Sequence, residues 1–147
     1  MYNLSQRDFY TVVRNPYFRI LSLWNYCVNT GLTEKEYSFE KFLIEKPSMD
    51  TLFGLTKNHG RSAEQRGIVY DIHDPQVRFI DDRVETFKLE EDLHILENKM
   101  GVKFAHCHKN STRYNKPHRY FYTDKLQEVV YQRYKDDFER FNYSVDL

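Results

Sequence analysis

Apolar positions along this chain change period in a way that marks out its elements. Phe9, Tyr10, Val12 and Val13 make a short β-favouring run, and from Pro16 onward the spacing lengthens to that of a helix, with Phe18, Leu21, Trp24 and Val28 as one stripe. The pattern predicts a strand whose carboxyl end carries Arg14 and a helix from Pro16 to about Asn29. Asn15 is suited to cap it, Pro16 to open it and Gly31 to end it. A second helix, FEKFLIEK, follows Ser38 as cap, with Tyr37 and Phe42 spaced as a hydrophobic staple and Pro47 as its stop. Residues 48 to 75 carry no clear period, and KNHGRSAEQRG reads as a polar loop. Beyond it, Val84 to Phe87 reads as a short strand. A helix with Leu89, Leu93, Leu96 and Met100 on a shared face follows, ended by Gly101 in a left-handed cap, and Val102 to Ala105 reads as another strand. The last helix begins at Thr123 and Asp124 and buries Leu126, Val130, Tyr134, Phe138 and Phe141, with Asn142 in the left-handed position after it.

Strands alternating with helices, without repeats or low-complexity linkers, indicate a single α/β domain over residues 1–147. A chain of 147 residues buries about two thirds of its unfolded surface, enough for one core. The 22 basic and 22 acidic residues cancel, so no global field draws the chain to nucleic acid or membrane, and any anion site is local. No apolar run reaches the length of a membrane span, and the first residues lack a signal-peptide pattern. Cys27, on the apolar face of the first helix, and Cys107, in a polar loop, do not form a disulfide framework. Cytoplasm is therefore the expected location.

The densest chemistry lies in VVRNPYFRILSLWNY. Arg14 at a strand's carboxyl end, the positive end of a helix dipole, and Arg19 with Ser22 one turn apart together suit a phosphate. The competing reading is an ordinary αβ junction capped by Asn-Pro; against it, ligands of α/β folds bind where Arg14 stands. A second cluster is HCHKNSTRYNKPHRYFY, residues 106 to 122, with Lys109, Asn110, Ser111, Thr112, Arg113, Lys116 and Arg119. It reads as a ligand loop, as a solvated basic loop, or as a platform for single-stranded nucleic acid; the zero net charge speaks against the last. His106, Cys107, His108 and His118 match no standard zinc spacing, so no metal is expected. Asp81-Asp82 and Asp136-Asp137 read as solvated pairs rather than catalytic dyads.

Four stretches in order carry a family resemblance. Arg-Asn-Pro-x-x-Arg-x-x-Ser (residues 14 to 22), HDPQVRFIDD, FKLEEDLHILENKMGV and YKDDFERFNY resemble the successive motifs of sulfotransferases that use 3′-phosphoadenosine 5′-phosphosulfate, most of all the carbohydrate-sulfating branch. The resemblance runs from Phe9 to Tyr143. It implies a P-loop-NTPase-like α/β fold with a small parallel sheet flanked by helices, of which this chain is the C-terminal portion. It implies that Arg14 and Ser22 hold the 3′-phosphate of the donor, or of the product 3′,5′-bisphosphoadenosine, while Lys109, Asn110 and Ser111 fold over the nucleotide. Arg19 then either joins the phosphate or braces the helix against acids, and Asp137 takes a structural salt bridge. The implied reaction moves a sulfuryl group to a hydroxyl, with a carbohydrate as acceptor and no metal.

The sequence departs from this family at one point. None of its glycines, at 31, 54, 60, 67 and 101, belongs to a G-x-x-x-x-G-K-[ST] loop, and KNHGRS, residues 57 to 62, falls on the wrong side of the Arg14 motif. The lysine that would stabilise the transferring group is thus not identified, nor is a base; His59 and His73 are the histidines within consideration. Two expectations follow. The chain is a sulfotransferase-like enzyme domain whose N-terminal βα unit is missing or replaced, or it is a non-catalytic nucleotide- or polyanion-binding or assembly module on the same fold. In either case an uncovered sheet edge invites a homo-oligomer.

Overall fold

A computed structural model describes residues 9–48, 72–104 and 116–147. Strand β1 (Phe9–Val13) leads through Arg14 and Asn15 into α1 (Pro16–Asn29), and α2 (Phe39–Glu45) follows. A 3₁₀ turn (Gln76–Phe79), strand β2 (Val84–Lys88), α3 (Leu93–Met100), a second 3₁₀ turn (His118–Phe121) and α4 (Asp124–Arg140) complete the order. Among the described residues the sheet has two strands, β1 and β2, paired in parallel with Phe9 opposite Val84 and Val13 opposite Lys88. This is a mixed α/β fold with a small parallel sheet and four α-helices in those segments.

Local chemistry explains the helix ends. The Asn15 side chain accepts from the Tyr17 N–H, Ser38 Oγ from Lys41 N–H, and Thr123 Oγ1 from Leu126 N–H, each meeting an orphan donor of a first turn. Tyr37 and Phe42 pack edge to face as the staple spacing predicts. Gly101 (φ 66°) and Asn142 (φ 51°) both take the left-handed conformation expected of them. The short helix α2 also ends on Lys46 at φ 46°, immediately before Pro47.

The core lies where α1, α2 and α4 meet and is built from Tyr17, Ile20, Leu21, Phe42, Leu43, Val130, Tyr134 and Phe138. Leu126, Val130, Tyr134, Phe138 and Phe141 are all buried, as the last helix's spacing predicts. On α1 the expected stripe is rotated: Tyr17, Ile20, Leu21 and Cys27 are buried, whereas Phe18, Trp24 and Val28 are half-buried. The reason is two-sided packing, since Trp24 also donates its indole N–H to the Tyr37 carbonyl at 2.7 Å on the flank of the core. The third helix starts at Leu93 rather than near Leu89, because Lys88 to Asp92 form a turn in which the Asp92 carboxylate accepts from the Lys88 N–H. Of its expected apolar face only Leu96 is buried; Leu89 and Met100 are exposed. Residues 102–104 are not a strand, and Ala105 lies outside the described residues.

Candidate functional site

The strand–helix junction that the sequence singles out is held by partners distant along the chain. The Gln76 carboxamide accepts from Arg14 N–H at 3.0 Å and donates to Arg14 C=O at 2.8 Å, taking the place a neighbouring strand would occupy. Gln76 N–H and Val77 N–H in turn donate to the two oxygens of Asp137, both at 2.9 Å. Asp137 is fully buried, so the solvated-pair reading holds only for its exposed neighbour Asp136, and its ion pair with Arg19 at 4.0 Å is the structural salt bridge that the resemblance implies for it. A buried carboxylate is tolerable here because it caps the first 3₁₀ turn and accepts two backbone N–H bonds.

Arg19 belongs to this brace and not to an anion cradle. Its guanidinium donates to the Asp74 carbonyl at 3.0 Å and reaches the Ile72 carbonyl at 3.5 Å. It lies over the Tyr134 ring, 4.8 Å from the centroid, and 4.0 Å from Asp137. These contacts commit the Arg19 guanidinium to the 72–74 segment, Asp137 and Tyr134.

Arg14 faces the other way. Its side chain is 33% exposed, and its Nε lies 3.5 Å from Glu90, yet among the described residues that buried donor has no aligned hydrogen-bond acceptor. Glu90 Oε1 also accepts from Asn15 N–H at 3.3 Å, at the start of α1, and Glu90 Oε2 accepts from the Tyr143 hydroxyl at 3.3 Å. Burial first, and Glu90 second, raise the Tyr143 phenol well above its ordinary value, so it stays a donor. Within α1, Phe18 and Ser22 are four residues apart and share a helix face, while Arg14 precedes the helix at the end of β1. Over Phe18 lies the His118 ring, 4.4 Å between centroids. Burial, and then the Arg14 charge, lower the His118 pKa and favour the neutral imidazole. The second 3₁₀ turn, which follows the 106 to 117 stretch in sequence, is thereby fixed beside Arg14.

Lys109, Asn110 and Ser111 lie outside the described residues, as do Thr112, Arg113, His106, Cys107, His108 and His59. Among the described residues, no group of three or more His, Cys, Asp or Glu could hold a metal ion, and no helix is long and apolar enough to cross a membrane. His73 is a packed histidine: it is buried, with Nε2 3.2 Å from the Pro47 carbonyl and its ring against Phe42. Sequence reasoning placed Gln76 and Glu90 within resembling motifs without giving either a role. Their partners lie 62 and 75 positions away, beyond the reach of any local pattern.

Compared with models of protein families, with curated proteins and with solved structures, the chain matches none. The class that stands on geometry is a mixed α/β domain with a cationic corner at the carboxyl end of a parallel strand.

Proposed function

We propose that the Arg14 corner binds the 3′-phosphate of an adenosine nucleotide, and that the chain is a sulfotransferase-like domain of the carbohydrate-sulfating kind. The observation that carries this reading is Arg14 itself. A guanidinium stands at a strand's carboxyl end and beside a helix N-terminus, with a buried Nε donor that no acceptor among the described residues satisfies. Phosphate oxygens suit such a donor, because a charge-assisted bond to guanidinium is stronger than a neutral one. Ser22 on α1 is proposed to supply a hydroxyl, and Lys109, Asn110 and Ser111 to complete the contacts. The reaction under this reading transfers a sulfuryl group from 3′-phosphoadenosine 5′-phosphosulfate to a carbohydrate hydroxyl, without a metal.

Calorimetric titration with 3′,5′-bisphosphoadenosine tests the corner. Wild type binds, Arg14→Ala loses on the order of a hundredfold in affinity, and Ser22→Ala loses on the order of tenfold, as a charged and a neutral hydrogen bond differ. Equal affinity in all three proteins, or no binding by wild type, overturns the reading. The alternative, a non-catalytic nucleotide- or polyanion-binding module, is separated by incubating the chain with donor and a saccharide: binding without sulfated product favours it.

A further inference from the structure

We infer that Glu90 is an internal counter-anion that occupies the phosphate position at Arg14 and sets how strongly the corner takes a ligand; this rests on the phosphate reading above. The Glu90 carboxylate does what a ligand phosphate would do there. One oxygen lies 3.5 Å from Arg14 Nε and accepts from the Asn15 N–H at the start of α1, so it draws on both positive features of the corner. The other oxygen is tethered by the Tyr143 hydroxyl at 3.3 Å.

Three features make the carboxylate displaceable. Its side chain is 25% exposed, giving it a way out to solvent. The Arg14 contact is long and misaligned, so little is lost on breaking it. The turn carrying Glu90 is braced without its side chain, by Asp92 accepting from Lys88 N–H and by Glu91 and Asp92 N–H groups donating to the Lys88 carbonyl. Two anions do not share one guanidinium and one helix end without repulsion, so an incoming phosphate binds as the carboxylate leaves. Glu90 then acts as a selectivity filter. A weak anion does not displace it, whereas a nucleotide with further contacts does.

The opposite role, in which Glu90 holds Arg14 in a binding pose, predicts the opposite sign, and titration of 3′,5′-bisphosphoadenosine into purified chain separates them. Glu90→Gln keeps the shape and an acceptor oxygen but removes the charge; affinity rises on the order of tenfold, the effect of one partly screened charge contact. Tyr143→Phe, which releases the second oxygen, raises affinity by a smaller factor and serves where the first variant does not fold. Unchanged or weaker binding by whichever variant folds, with Arg14→Ala still impaired, overturns the counter-anion role and leaves the phosphate corner standing. No binding by wild type, or full binding by Arg14→Ala, overturns both.

Discussion

Two arginines five positions apart have opposite fates, and the acids around them decide which. Arg19 is drawn inward by Asp137 and by two carbonyls of the 72–74 segment, while the half-buried Arg14 pairs with Glu90 at 3.5 Å. Residue type alone does not distinguish them. Asp137 is the more consequential acid for stability, because one side chain satisfies Gln76 N–H, Val77 N–H and the charge of Arg19. Asp137→Ala leaves the Gln76 and Val77 N–H groups without their acceptor and Arg19 without its charge partner, and is expected to cost about 3 kcal/mol of unfolding free energy, read from urea denaturation. A loss below about 0.5 kcal/mol would count against Asp137 as the centre of this brace.

Local signals and distant ones divide at the level of elements. The start of α1 was legible because Asn15 and Pro16 act within one turn, and the ends at Gly101 and Asn142 because left-handed backbone favours few residue types. The buried face of α1 was not legible from its period, since Phe18, Trp24 and Val28 are apolar yet flank the core, while Tyr17 reaches across it to donate to the Val145 carbonyl. Nor was the role of Gln76: an amide that completes a strand edge has no periodicity. Gln76→Ala removes both bonds to the Arg14 backbone and is expected to destabilise by about 1–2 kcal/mol. Faster amide exchange at Arg14 in the variant checks it, and unchanged exchange there would show that the carboxamide does not hold the strand end.

For the molecule as a whole, tyrosine burial sets the alkaline limit. Burial first, with Glu45 second, pushes the Tyr37 phenol up to about 12 from 10.0, and burial pushes the Cys27 thiol up to about 11 from 9.0. Burial likewise raises Tyr17, Tyr134 and Tyr143. All of these groups are neutral when protonated and hold their protons more tightly folded than unfolded. The stability they contribute is therefore full below pH 9, falls from pH 9 to 10 as the unfolded thiol and phenols ionise, and continues to fall towards pH 12. Urea midpoints measured from pH 8 to 12 are expected to fall across that window, and a flat profile would refute the coupling.

The pairing of β1 with β2 joins Phe9 to Val84 across 75 positions of chain. Closing a loop of that length costs on the order of 4 kcal/mol of chain entropy before any sheet bond repays it, whereas the helices form from contacts close in sequence. Arg14 and Asn15 follow β1, and Glu90 follows β2, so the cationic corner and its counter-anion meet only when the strands align. The helices can therefore form before the corner does, and the corner is assembled in the step that zips the sheet.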